Sequence, residues 1–219
     1  MKKEKKSLKK PYPPDKKITI SAPDVLGKNI ILPMILEYME DNSELNIELD
    51  LSDKFLDLTT DNIDIAIRVG EVPDSDDIIA KYLASYEFLA CASPKYLKEF
   101  GTPSTPYDLF NHQCISFNKN ILIQWQGNDF VNKMNRSRMV SFSIDAIRMN
   151  ALSGMGVIIH SKIFVDDDIK KGTLLTILKD YPLPKRKVSA IYHKSKRNDD
   201  KIKNLLNFIQ GKISKTLPL

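Results

Sequence analysis

The chain has 219 residues, of which 42% are hydrophobic and 28% are charged. This length is enough to bury a substantial core, and the composition excludes a disordered or collagen-like chain. The formal net charge of +5 comes from the start of the chain, because positions 1–17 hold eight lysines against Glu4 and Asp15 and the remainder is close to neutral. A basic nucleic-acid-binding surface on the folded part is therefore not expected.

Lysines and then prolines dominate residues 1–17, which predicts a flexible basic tail. Such a tail is either simply solvated or makes a weak electrostatic contact with nucleic acid or an anionic surface. No apolar segment follows it, so a secretory signal is not expected. No apolar run approaches the ~18 residues that a membrane span needs, and no membrane association is expected.

The first half of the ordered chain alternates strands with helices. Alternating apolar residues predict strands, and apolar residues spaced three and four apart predict helices. In chain order we expect a strand at Ile18–Ile20, a helix around Ile31–Tyr38, a strand at Leu45–Leu51, a short helix from Ser52-Asp53 to Thr60, and a strand at Ile63–Val69. Helical crossovers between neighbouring strands imply a parallel α/β sheet.

The second half repeats the same mixture. Extended segments are expected at 82–92, 114–117, 121–125, 139–142, 157–159, 174–178 and 188–192. Helices are expected after the caps Ser93, Thr105 and Ser143, at Ile163–Lys171, and from Asp199 to about Gly211.

No catalytic constellation stands out. The sequence has no GxSxG, GxxxxGK[ST] or HExxH motif. The run Asp166–Asp168 lacks calcium-loop spacing and is interpreted as a solvated acidic face. Cys91 and Cys114 form no CxxC pair, and the three histidines lie far apart, so buried structural roles in a reduced, cytoplasmic chain are expected. We therefore expect no enzyme activity, no metal and no cofactor.

Short polar residues occur where predicted strands meet helices, at Ser21 with Pro23, at Ser52-Asp53 and at Ser143. Ligands of open α/β sheets bind beyond the carboxyl ends of the strands, where helix N-termini favour anions. The pattern indicates a cleft for a small acidic molecule. The alternative is that all three positions are helix caps.

Several motifs in this order and spacing resemble the effector-binding domain of LysR-type transcriptional regulators. They extend from about Ile18 to Gly211 and comprise ITISAPDVLG from Ile18, LDLSDKFLDL from Leu49, DIAIRVG from Asp64, LACASPKYL from Leu89, DLFNHQCI from Asp108, Trp125, GMGV from Gly154 and GTL from Gly172.

The resemblance implies an α/β, type 2 periplasmic-binding-protein-like fold, with two Rossmann-like lobes joined by two crossover strands. Lobe I would comprise residues 18–83 plus 188–213, and lobe II residues 84–187. It also implies a small-molecule effector in the cleft between the lobes, and pairing with another subunit as a dimer or tetramer.

The matching motif positions imply the ligand-binding residues. In lobe I these are Ser21, Ala22, Pro23, Ser52, Asp53, Arg68 and Val69, and in lobe II they are Phe117, Asn118, Ser143 and Asp145. Arg68 is the natural anchor for a carboxylate, because a guanidinium binds it bidentately. A salt bridge between Arg68 and a local Asp or Glu is the alternative.

The 17 residues before the first strand contain no helix-turn-helix, with which members of the family normally begin. We therefore expect DNA binding only through a helix-turn-helix domain that this chain lacks. A solute-binding protein of a transport system on the same fold is the alternative function, and an enzyme on that fold is a third.

Overall fold

A computed structural model describes residues 17–52, 58, 61–72, 75–116, 119–134 and 143–217. The predicted tail therefore lies outside the described residues except for Lys17. The predicted helix Ser52–Thr60, apart from Ser52 and Leu58, and the predicted strand at 139–142 also lie outside them.

The chain divides into two compact units, one comprising residues 1–84 and 187–216 and the other residues 85–186 and 217–219. The lobe boundaries expected from the family resemblance fall after residues 83 and 187. The assignment of the two units as functional lobes stays a prediction.

The first unit contains a five-stranded sheet in the spatial order β2-β1-β3-β9-β4. Its strands are β1 (Lys17–Ala22), β2 (Asn46–Leu51), β3 (Ile65–Val69), β4 (Ile78–Tyr86) and β9 (Arg186–His193). Strand β1 is parallel to both β2 and β3, as the helical crossovers predicted, whereas β9 runs antiparallel to β3. The chain leaves this unit near the end of β4 and returns at the start of β9.

A continuous helical segment follows β1. It consists of α1 (Asp24–Leu26), a π-helical turn (Gly27–Ile31) and α2 (Leu32–Asp41). Pro33 is the second residue of α2 and directly follows the π-helical turn. Gly27 lies close to β1 and β2, because a Cβ atom there would lie 2.3 Å from Leu51 Cδ2 and 3.1 Å from Ala22 Cβ.

The last helix, α8 (Asp200–Thr216), packs against α2 and the π-helical turn. Its buried stripe is Ile202, Leu205, Leu206, Ile209 and Ile213. The predicted end near Gly211 is wrong. Burial of Ile213 continues the stripe beyond Gly211, and this burial outweighs the cost of about 0.5–1 kcal/mol of a glycine inside a helix.

The second unit contains a four-stranded sheet in the order β6-β7-β5-β8. Its strands are β5 (Phe88–Ala92), β6 (Cys114–Ser116), β7 (Val157–Ser161) and β8 (Leu175–Ile177). Both faces are buried: Ala90, Ala92 and Ile159 belong to one apolar cluster, whereas Cys91 and Ile158 belong to another.

Among the described residues of this unit, five helices and a 3-10 turn accompany the sheet. They are α3 (Pro94–Phe100), the 3-10 turn Pro106–Asn111, α4 (Lys119–Gln126), α5 (Asn128–Lys133), α6 (Ile144–Leu152) and α7 (Lys162–Lys170). The predicted strand Ile121–Trp125 is wrong, because this segment lies in α4. Ile121 and Leu122 are fully buried and Trp125 packs beside them, which is the i, i+1, i+4 spacing of a helical face.

Candidate functional site

Three strands of the first unit end at the same edge of the sheet. Strands β1, β2 and β3 are parallel, and Ser21 lies opposite Asp50 on one side and Ala66 on the other. The Ser52 backbone N–H donates to the Ala22 carbonyl over 3.1 Å, which holds the end of β2 against the end of β1. This edge therefore collects the lobe I residues that the sequence singled out, apart from Asp53.

The Arg68 guanidinium is held in place by hydrogen bonds. Its Nη1 and Nη2 each donate to Ser21 Oγ over 3.2 Å, and Nη1 also donates to the Ile67 carbonyl over 2.8 Å. Ser21 is fully buried and Arg68 is half-buried. Burial lowers the Arg68 pKa, and the negative charge of Asp50 opposes that shift. Arg68 forms no ion pair within the described residues. The alternative expectation, a salt bridge between Arg68 and a local Asp or Glu, is therefore not met there.

The Ser52 hydroxyl is a second polar group at this edge. Its Oγ atom is buried and has no hydrogen-bond partner among the described residues. A buried hydroxyl without a partner costs about 1–3 kcal/mol, so such atoms are uncommon unless something binds them.

The other lobe I candidates differ in what they offer to a ligand. Ala22 is fully buried, so only its backbone is available, whereas Pro23 and Val69 are half-buried. Pro23 is the residue before α1, and its carbonyl accepts from the Gly27 N–H over 2.7 Å. The first N–H groups of the helical segment beginning at Asp24 thus lie beside the end of β1.

Ser189 belongs to the same surroundings and was not singled out from the sequence. It lies on β9 directly opposite Arg68 and is 7% exposed. The signal was a small polar residue between the apolar residues Val188 and Ala190 of a strand. Only the antiparallel pairing of β9 with β3 shows that this serine lies opposite Arg68.

Two candidates of the second unit lie at the start of α6. Ser143 caps this helix, since its Oγ accepts from the Ala146 N–H over 3.5 Å, and the predicted cap is confirmed. Asp145 is exposed in the first turn. The pKa of Arg148 is raised chiefly by its hydrogen bond to Asp168, and the charge of Asp145 adds to that shift. The remaining candidates Asp53, Phe117 and Asn118 lie outside the described residues.

The cysteines and His112 have structural surroundings, as expected. Burial raises the thiol pKa of both Cys91 and Cys114 to about 12, so neither is a nucleophile near neutral pH. His112 Nδ1 lies 3.1 Å from the Tyr96 hydroxyl, which itself accepts from the Gln113 N–H. No group of three or more metal-ligating side chains occurs in the part of the chain that the structure describes.

The interpretation of Asp166–Asp168 as a solvated acidic face is wrong for Asp168. That carboxylate is 3% exposed and accepts from Arg148 through Nη2 over 2.6 Å and through Nε. It also accepts from the Thr173 hydroxyl over 3.3 Å. The run lies on α7, where consecutive side chains point in different directions, so one of three neighbours faces the interior.

Comparison with known proteins gives the family. Residues 13–214 match the family model described as the LysR substrate binding domain. The chain belongs to this family. The LysR substrate-binding domain has the type 2 periplasmic-binding-protein-like α/β fold, so the fold expected from the sequence motifs is confirmed.

Relatives of this LysR substrate-binding domain are transcriptional regulators. The chain is 28% identical to the regulator CrgA of Neisseria meningitidis, over 86% of this chain and 64% of that protein. It is 30% identical to an uncharacterised HTH-type regulator of Haemophilus influenzae, over 87% of this chain and 68% of that protein. The chain thus spans about two thirds of the length of these relatives.

Solved structures give the same assignment. The CrgA regulatory domain superposes with a TM-score of 0.77 at 25% identity, covering 93% of this chain and all of that one. The full-length virulence activator AphB of Vibrio cholerae superposes with a TM-score of 0.74 at 26% identity, over 90% of this chain and 68% of that one. Across the described residues, no helix combines the length and the apolar character that a membrane crossing requires.

Proposed function

We propose that this LysR substrate-binding domain senses a small anionic effector at the edge where β1, β2 and β3 end, and that it serves as the effector-binding and oligomerisation domain of a cytoplasmic transcriptional regulator. One observation carries the proposal. A half-buried guanidinium, Arg68, is held by the buried Ser21 hydroxyl and has no carboxylate partner among the described residues.

The chemistry of this edge suits a carboxylate. Ser21 fixes the orientation of the guanidinium, so less side-chain entropy is lost when an anion binds to it. A guanidinium presents two parallel N–H donors to a carboxylate, and such charge-assisted bonds are about twice as strong as neutral ones. The Ser52 hydroxyl would give the ligand a further donor and would itself gain the partner it lacks among the described residues. These features support an anionic effector.

Regulation would follow from a shift in population. An effector that binds one conformation of the domain more tightly than another stabilises that conformation. A coupling free energy of about 1–3 kcal/mol is typical of allosteric regulators. We infer that a second copy of the chain is the partner that responds, and that DNA is contacted through a helix-turn-helix segment outside this chain.

The test is a thermal-shift screen of the purified chain against small mono-, di- and tricarboxylates and aromatic acids. A ligand at about 100 times its dissociation constant stabilises the folded state by ~2.7 kcal/mol, which is readily measured. The Arg68→Ala variant should bind the active compound at least about tenfold more weakly, because it loses a charge-assisted hydrogen bond. Arg197→Ala, which removes an exposed arginine from the same unit, is the matched control and should leave affinity unchanged.

A compound that stabilises the wild type and Arg68→Ala equally would refute Arg68 as the anchor. A compound whose effect is lost in both arginine variants would indicate non-specific attraction to positive charge. Light scattering of the wild type with and without the active compound checks the proposed second copy, since a monomer at all concentrations would contradict it.

A further inference from the structure

Polar side chains form a row across the sheet of the first unit, near the ends of β1, β2 and β3. Ser21 lies opposite Asp50 of β2 and opposite Ala66 of β3. Arg68 follows Ala66 by two residues, and Ser189 of β9 lies opposite Arg68. Paired residues of neighbouring strands, and residues two apart along a strand, point to the same face of a sheet. One face therefore carries a polar row of Asp50, Ser21, Arg68 and Ser189.

The contacts around the polar row agree with this face. Arg68 reaches the Ser21 hydroxyl through two hydrogen bonds of 3.2 Å. A Cβ atom added to Gly27 would meet the side chains of the two residues that directly follow Ser21 and Asp50. Because successive side chains of a strand alternate between faces, the helical segment that contains Gly27 packs on the face opposite to the polar row.

The polar row holds one positive and one negative group. Asp50 is exposed, and its carboxylate has no ion-pair partner among the described residues. Burial lowers the Arg68 pKa and the charge of Asp50 opposes that lowering, so the two charges lie within electrostatic reach of each other. Ser21, whose hydroxyl holds the guanidinium, is on the strand between them. A small ligand with two opposite charges can therefore contact both groups at once.

We propose that the effector of this domain is an α-amino acid, whose carboxylate binds Arg68 and whose ammonium group binds Asp50. A single carbon atom separates the two groups of an α-amino acid, and adjacent strands place the backbones of Ser21 and Asp50 about 4.8 Å apart. A guanidinium binds a carboxylate bidentately, and an ammonium group donates readily to a carboxylate. The inference rests on the proposed effector site and adds a cationic group to the carboxylate ligand proposed there.

Asp50 is then the residue that distinguishes amino acids from simple carboxylic acids. A carboxylic acid without an amino group brings a second negative charge close to Asp50, and like charges repel. An amino acid brings a positive charge to the same place. Removing the charge of Asp50 should therefore weaken the binding of an amino acid, whereas the binding of the corresponding simple acid should stay the same or become tighter.

Isothermal titration of the whole chain at pH 7.5 and constant ionic strength tests the inference. The probes are the common L-amino acids and, for each one that binds, its deaminated counterpart with hydrogen in place of the amino group. We expect at least one amino acid to bind about fivefold more tightly than its counterpart. Asp50→Asn should weaken that amino acid about fivefold, the upper range for an exposed ion pair, without weakening the counterpart.

Asp41→Asn is the matched control, because it removes the charge of an exposed carboxylate on α2 of the same unit. It should keep the wild-type affinity for both ligands. Equal weakening by Asp41→Asn and Asp50→Asn would show a general effect of charge and overturn the inference. Because Asp50 is exposed and asparagine has the same shape, Asp50→Asn is expected to fold like the wild type.

The remaining outcomes separate this inference from the proposed function. If no amino acid binds, but a simple carboxylate binds and is weakened by Arg68→Ala, the inference is wrong and the proposed function stands. An amino acid that binds wild type and Asp50→Asn equally would also overturn the inference, since its ammonium group would not contact Asp50. If Arg68→Ala leaves the binding of every ligand unchanged, or if neither class of ligand binds, both proposals fail.

Discussion

The ring of His160 is half-buried in the second unit, and burial lowers its pKa from 6.5 to about 4. Phe164 lies against the ring with centroids 4.5 Å apart, and Phe88 lies 6.5 Å away. The Ser161 N–H donates to Nδ1 over 2.9 Å, so the proton of the neutral ring is on Nε2. Between pH 6.5 and about 4, His160 therefore binds a proton in the unfolded chain but not in the folded state.

The exclusion of that proton predicts how stability depends on pH. Between pH 6.5 and about 4 the unfolded state binds one more proton at this residue than the folded state, so the free energy of unfolding falls as the pH is lowered through this window. The loss amounts to about 1.4 kcal/mol per pH unit for one proton. Above pH 6.5 this contribution is constant.

Urea unfolding at several pH values between 4.5 and 7.5 measures the effect. His160→Phe keeps an aromatic ring and removes the titration, so its unfolding free energy should fall less steeply below pH 6.5, whatever its value at pH 7.5. His193→Gln changes a histidine of the other unit and should retain the wild-type slope. The same slope in wild type and His160→Phe would disprove the assignment to His160.

At the scale of elements, two helical glycines have opposite surroundings. Gly27 lies in the π-helical turn, where an added Cβ would meet Leu51 and Ala22. Gly211 lies in α8 with open space around it. Replacing a helical glycine by alanine ordinarily stabilises a protein by about 0.5–1 kcal/mol, because the unfolded chain loses conformational freedom.

We predict that Gly211→Ala stabilises the chain by that amount, whereas Gly27→Ala destabilises it by about 1 kcal/mol or more through overpacking. Leu51 can change its rotamer, but the buried Ala22 Cβ belongs to a central strand and has no such freedom. Thermal unfolding of the two variants and the wild type shows whether each substitution raises or lowers the stability. Equal stabilisation by the two alanines would show that the π-helical turn does not lie close to β1 and β2.

Elements with strong local patterns were predictable from the sequence. The alternation in Leu45–Leu51 identifies β2, and the caps Ser93 and Ser143 identify the starts of α3 and α6. The strand prediction for Ile121–Trp125 failed because the β-branched and aromatic residues of this segment favour a strand, whereas its buried positions have the spacing of a helix. Helix α8 continued past Gly211 because tertiary burial of Ile213 outweighs one glycine.

The candidate site was predictable to a smaller extent. Ser21, Ser52 and Arg68 stand near strand ends, and the ends of parallel strands share one edge, so their proximity follows from local pattern and topology. The hydrogen bonds from Arg68 to Ser21 and the position of Ser189 opposite Arg68 depend on how β1, β3 and β9 pair. Those pairings join segments far apart in the sequence, so no local pattern reveals them.

The charge of the whole molecule is divided between a basic start and a nearly neutral remainder. Positions 1–17 contain eight lysines and the chain has a formal net charge of +5. Phosphate contacts of lysines supply affinity for DNA that depends strongly on salt and carries no sequence information. The chain by itself should therefore bind DNA weakly and without sequence preference.

Fluorescence anisotropy with two duplexes of unrelated sequence, between 50 and 200 mM salt, measures this binding. The wild type should bind both equally, and its affinity should fall steeply with salt because each phosphate contact releases about 0.9 counterion. A variant that begins at Lys16 loses six lysines before Pro11 and should lose most of the affinity and of the salt dependence. Preference for one duplex, or undiminished binding by the shortened variant, would instead locate a nucleic-acid surface on the folded part, against its neutral charge.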